Sequence, residues 1–250
     1  YEQLLQKLSE ILVIRQIVSC TWPTGRTFLH EPAATSGGPR PELVVTWPGG
    51  RVAIEVKTPA ILEHTRRRGA NGTQLPYRHG LPLEPTKKMA QGMVTLPRDN
   101  PVLDFLKDAE RKFAGFRSDP DTASLLVIVW DDFVYEPIST LVNPRSGLLT
   151  PESFARKSDG AAQDFPNSDS IIVLRHLNYF ILGSRGEPLG DRSSSLDFGA
   201  GGALPNVSFV ASGGRAIPQS VFEALRAKPH DDPELQRFAE YRPQDIVFWL

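Results

Sequence analysis

The feature that most constrains this chain is a pair of short β-rich runs, residues 42–47 and 51–58, separated by Pro48, Gly49 and Gly50. A proline and two glycines between such runs signal a β-hairpin. With Pro48-Gly49 as the loop, Trp47 pairs with Gly50 and Glu42 stands opposite Glu55; with Gly49-Gly50 as the loop, Glu42 stands opposite Lys57. Side chains alternate along a strand with period two, so both registers put Glu42, Glu55 and Lys57 on one face. Leu43, Val45, Trp47, Val52, Ile54 and Val56 take the other. One face reads as apolar core, and the other gathers two carboxylates and an ammonium.

Two carboxylates a few ångströms apart repel, and one lysine relieves only part of that cost. A divalent cation relieves the rest. Hard oxygen ligands suit Mg²⁺, with Mn²⁺ as a substitute, because Mg²⁺ takes one or two protein carboxylates and fills its remaining positions with water and substrate phosphate. The Val56 carbonyl, between Glu55 and Lys57, is a further candidate ligand. Lys57 is placed to orient or help deprotonate the attacking water, or to neutralise charge on a scissile phosphate. The bland alternative for the same residues is a solvated ion-pair ladder.

Around the hairpin, residues 2–19 read as an amphipathic helix with Leu4, Leu5, Leu8, Ile11 and Leu12 at helical spacing. Residues 26–30 are the candidate for a strand ahead of the hairpin. Residues 59–100 show no sustained period and read as a long insertion or loop. Residues 101–117 return to helical periodicity, and the unalternating run 124–130 fits a strand buried on both faces. Further on, a helix is expected from Thr150, a strand or strand pair over 170–182, a flexible stretch over 183–204, a strand over 206–211 and helices over 218–227 and 233–241. Residues 1–142 are taken as the core, with 59–100 inserted in it, and residues 143–250 as an α+β extension for recognition, dimerisation or partner contact.

Pro41-Glu42, twelve intervening residues and then Glu55-Val56-Lys57 resemble the PD-(D/E)XK nuclease superfamily. The expected order of helix, strands, helix and strand over residues 1–132 is similar too. The resemblance implies an α/β fold with a restriction-endonuclease-like core, a mixed central sheet flanked by helices. It implies that Glu42 and Glu55 bind the metal and that Lys57 assists the hydrolytic water. The chain departs from the family pattern in having Glu42 where most members have Asp. Many members also place a glutamate in the first helix. Glu2 and Glu10 are the candidates here, Glu2 nearer the expected apolar stripe and Glu10 on the exposed side. The implied activity is metal-dependent hydrolysis of DNA phosphodiester bonds, by an endonuclease of restriction or anti-phage defence. The alternatives are RNA as substrate, or an inactive nuclease-like module that binds nucleic acid or a partner protein.

The charge balance, 28 Lys and Arg against 29 Asp and Glu, provides no global field toward polyanions, so nucleic-acid contact has to be local. A basic stretch just after the motif strand, with Arg66, Arg67, Arg68, Lys87 and Lys88, is either a phosphate-tracking segment or a solvated insertion. Lys107, Arg111 and Lys112 read as a solvated helix face, with phosphate contact as the alternative. A single cysteine, Cys20, removes intramolecular disulfides and Cys-pair zinc sites, and the five histidines show no metal-ligand spacing. No P-loop, no Gly-x-Ser-x-Gly and no complete dinucleotide fingerprint is present. With no apolar run long enough for a membrane span, the expectation is a cytoplasmic protein, with a homodimer or a partner subunit for double-strand cleavage.

Overall fold

The computed structural model describes residues 1–34, 38–70, 73–74, 88, 94–199 and 204–244. Helix α1 (Glu2–Ser19) leads into three antiparallel strands, β1 (Thr27–His30), β2 (Leu43–Trp47) and β3 (Gly50–Lys57). The hairpin turns at Pro48-Gly49. Proline presets the first central position of that turn, and Gly49 takes the second at φ +93°, a region that favours glycine. Gly50 is required for a different reason, since a Cβ there would meet the Trp47 ring at 2.5 Å. Trp47 pairs with Gly50 and Leu43 with Ile54, which sets residue 42 level with residue 55.

After β3 come α2 (Ile61–Ala70), a two-residue pairing of β4 (Thr73–Gln74) with β5 (Val94–Thr95), and α3 (Pro101–Ala114). Strand β6 (Thr122–Trp130) then returns parallel to β3. Helix α4 (Tyr135–Val142) precedes β7 (Ser170–Arg175), which is parallel to β6. Helix α5 (Leu177–Ser184), β8 (Asn206–Val210), α6 (Gln219–Ala224) and β9 (Ala227–Pro229) complete the order. The result is an α/β fold with a seven-stranded mixed sheet, ordered β1-β2-β3-β6-β7-β8-β9. Residues 143–250 contribute β7, β8 and β9 to the same sheet as the hairpin.

Helices α1, α5 and α6 cover one face, with Leu5, Leu12, Val13 and Ile17 packed with Val45, Val52, Ile54 and Val56. Helices α3 and α4 cover the other, where Leu106, Ala109 and Phe113 join Val44, Ala53, Leu126 and Ile128. Strand β6 is buried along its whole length, as its unalternating sequence requires. The face that carries Glu42, Glu55 and Lys57 is therefore a second core roofed by α3, not a solvated surface.

Several local expectations are corrected. Within 59–100, residues 61–70 form α2, which buries Ile61 and carries its arginines outward, so it has no apolar stripe to reveal it. The 170–182 run is one strand followed by one helix. Its continuous apolar composition fits either state, and burial of Leu177, Phe180 and Ile181 at helical spacing fixes α5. Residues 150–155 form turns and bends in place of a helix. The 233–241 segment makes two 3₁₀ turns, Leu235–Arg237 and Ala239–Tyr241, and ahead of the first Asp232 accepts the Glu234 N–H at 2.8 Å. Of the stretch expected to be flexible, residues 185–199 are irregular yet held down, with Arg192 stacked 3.4 Å over the Tyr179 ring, and residues 200–203 lie outside the described residues. Among the described residues, no helix is long and apolar enough to cross a membrane.

Candidate functional site

Near the end of β3, Glu55 points toward α3 and is 0% exposed, and Glu42, just ahead of β2, is 9% exposed. Helix α3 reaches over both. Its Lys112 Nζ donates to Glu55 Oε1 at 2.6 Å and stands 3.6 Å from Glu42 Oε1, so one nitrogen lies between the two carboxylates. Lys57 Nζ also reaches Glu55 Oε1, at 2.8 Å, and bonds Asp108 of α3. Arg111, at the rim, pairs with the other oxygen of Asp108. The second oxygens, Glu42 Oε2 and Glu55 Oε2, have no hydrogen-bond partner among the described residues. A buried polar atom left in that state costs free energy unless something not yet bound supplies its contact.

The electrostatics follow from this crowding. Burial pushes the Glu42 carboxyl above its ordinary value, with the fields of Glu10 and Glu55 adding to it and Lys112 and Lys7 opposing. Burial disfavours the Lys57 ammonium, yet Glu55 and Asp108 outweigh it and hold Lys57 above its ordinary value. Asp108 is likewise opposed by burial and brought below its ordinary value by Lys57 and Arg111. Lys57 is thus held as a cation, a form that donates hydrogen bonds and accepts no proton.

The region contains more acid than the strand motif alone. Glu10 of α1 pairs with Lys7 at 2.6 Å and acts on Glu42 through its field. It is not on the exposed side, because α1 buries Leu5, Ser9, Leu12, Val13 and Ile17 while Leu4 and Ile11 are exposed. Glu2 goes elsewhere, accepting the Glu63 N–H at 2.8 Å in the first turn of α2. At the end of β1, one ligand atom from each of His30, Glu31 and Glu42 lies within 4.8 Å of the others, the one such His/Cys/Asp/Glu group found among the described residues.

Glu42, Glu55 and Lys57 are therefore brought together. Val56 lies between the latter two, with its side chain in the opposite core. Arg66 and Arg67 stand on α2, which begins four residues after Lys57, and both pair with Glu63, whose carboxyl their hydrogen bonds hold down to about 2. Arg68 is half-buried, Lys88 is exposed, and Lys87 lies outside the described residues. Asp108, Lys112, His30 and Glu31 were not expected in the site. The first two had a legible signal, an i,i+4 acid–base pair on the flank of the apolar stripe of α3.

The arrangement suits a hard divalent cation: two carboxylates brought level by the β2–β3 hairpin, each with an oxygen that has no hydrogen-bond partner among the described residues, beside a lysine held charged. Comparison with protein-family models, with curated proteins and with solved structures finds no match to this chain.

Proposed function

We propose that this chain is a metal-dependent nuclease of the PD-(D/E)XK type, hydrolysing DNA phosphodiester bonds as an endonuclease. The observation that carries the reading is the pair of unfilled oxygens on Glu42 and Glu55 beside Lys57. The order α1, β1 to β3, α3 and β6, with β6 parallel to β3, agrees with the helix, three strands, helix and strand of that family. Glu42 and Glu55 would hold Mg²⁺, with the Val56 carbonyl as a further ligand and Mn²⁺ as a substitute. When bound, the cation supplies Lewis acidity at the phosphate and a nucleophile at neutral pH.

The chain's own residues do the rest. Lys57, held protonated, donates to the phosphate and offsets charge that develops as the phosphorus–oxygen bond breaks. Asp108 fixes the Lys57 ammonium from the helix side. Lys112 neutralises Glu55 while no cation is bound, and so prevents the two carboxylates from opposing the fold. The exposed arginines of α2 extend the basic surface beyond the site, toward the flanking phosphates of a duplex. A restriction or anti-phage role fits a nuclease of this kind, as does a homodimer.

A competing reading, a nuclease-like scaffold that binds without cutting, draws on the two lysines already paired with Glu55. Cleavage of supercoiled plasmid in Mg²⁺ separates the two readings. Wild type cuts, while Glu55→Gln and Lys57→Ala lose at least about a hundredfold in rate. Equal rates in all three overturn the catalytic reading. An excess of competing RNA in the same reaction leaves the rate unchanged if DNA is the substrate.

A further inference from the structure

In a regular strand His30 and Glu31 would point to opposite faces of the sheet. Glu31 instead adopts φ +45°, in the left-handed region, while its N–H still bonds the Glu42 carbonyl at 3.0 Å. The alternation is broken there, and the His30 ring and the Glu31 carboxylate gather with Glu42, one ligand atom of each within 4.8 Å of the others. Ligands bonded to one ion at about 2.1 Å stand no more than about 4.2 Å apart, so small rotamer changes close the trio.

A second observation, on the carboxylate at the centre of this grouping, points to a ligand. Glu42 is nine-tenths buried, and its Oε2 has no hydrogen-bond partner among the described residues. The surrounding charge is negative, with Glu10, Glu31, Glu42, Glu55 and Asp108 set against Lys7, Lys57 and Lys112 and, at the rim, Arg111. Lys7 is already paired with Glu10.

We propose that His30, Glu31 and Glu42 form a second cation site that takes a borderline divalent transition ion of the Mn²⁺, Fe²⁺ or Zn²⁺ class. The ligand chemistry sets the class. Mg²⁺ favours all-oxygen shells, whereas an imidazole nitrogen with two carboxylates suits ions of intermediate softness. Sharing Glu42 puts this site beside the proposed catalytic cation, so its part in cleavage rests on the nuclease reading, although its existence does not.

Pulsed EPR of Mn²⁺ bound to the full chain, without nucleic acid, reads the nitrogen ligand directly. Wild type shows nitrogen modulation from one imidazole, Glu55→Gln retains it, and His30→Gln loses it. Titration with Mn²⁺ shows one binding event weakened at least about tenfold in His30→Gln and in Glu31→Gln. Both side chains are on exposed residues, so these variants keep the fold. Nitrogen modulation absent from wild type, or persisting in His30→Gln, overturns the inference. Modulation that behaves as expected in a protein without cleavage activity supports this site and removes the nuclease reading alone.

Discussion

Asp169 and Glu55 are both carboxylates with fully buried side chains, and α3 or the segment just past it supplies a cation to each. Lys112 reaches Glu55 at 2.6 Å, and Arg117, three residues beyond the end of α3, reaches Asp169 at 2.7 Å. The difference lies in the remaining contacts. Asp169 Oδ2 also accepts the Ser124 N–H at 2.8 Å and the Ser124 hydroxyl at 3.0 Å, while Oδ1 accepts the Arg215 N–H at 2.8 Å. At Glu55 both lysines crowd one oxygen, and the other accepts nothing among the described residues. Glu42 Oε2 likewise has no hydrogen-bond partner among the described residues, and its Oε1 stands 3.6 Å from Lys112 Nζ. A buried acid whose contacts are complete ties strands together, and one left half complete is suited to bind something.

The largest effect should come from breaking the completed group. Asp169→Ala strips the half-buried Arg117 of its partner and removes acceptors from two backbone amides, at a cost of about 2–4 kcal/mol in urea unfolding. Mg²⁺ should not recover that loss, because the contacts it replaces lie around the other acid. A loss below about 1 kcal/mol would mean that the two acids are not distinguished by their partners.

Next in size is Lys112→Met, which removes the internal cation from between Glu42 and Glu55. Mg²⁺ then meets no competing ammonium, and its affinity measured by calorimetry rises by about tenfold. Unchanged affinity would place the cation away from Glu55. Lys112→Arg, which keeps the charge, should stay close to wild type.

A smaller effect is expected from pH. Glu42 is raised by burial and by Glu10 and Glu55, so the folded chain binds its proton more tightly than the unfolded chain does. The stabilisation is fully present below the ordinary carboxyl value of 4.5 and is lost as pH rises through the raised folded value. Without metal, wild type should lose stability over that rise relative to Glu42→Gln, and saturating Mg²⁺ should abolish the difference in urea midpoints. The smallest change is reserved for Arg66, Arg67 and Arg68. Replacing all three by alanine should weaken duplex binding a few-fold in fluorescence anisotropy and lower the salt slope by about one per lost phosphate contact.

The hairpin was legible because its information is local. Period two, a Pro-Gly turn and the parity of residues 42, 55 and 57 hold in either register. The roof over that face was not legible from the strands, since whether Glu55 meets water or a helix depends on which side α3 packs. Helix α1 misled for another reason. Its apolar residues run nearly all the way round, so the buried stripe could not be singled out, and the structure turns Leu4 and Ile11 outward and Glu10 toward Glu42. His30 escaped a search for sequence spacing because its companions arrive through β1–β2 pairing and a left-handed Glu31. Helix α2 escaped because Ile61 is its buried residue and most of the rest is polar.

The central claim is that the unfilled oxygens of Glu42 and Glu55 take a divalent cation. Anomalous diffraction from crystals grown with Mn²⁺ tests it most directly. The account predicts a peak bonded to both carboxylates at about 2.0–2.3 Å, with Lys112 withdrawn from the position between them. Crystals with Mn²⁺ bound elsewhere, no peak in contact with Glu55, and Lys112 still seated on Glu55 Oε1 would contradict it.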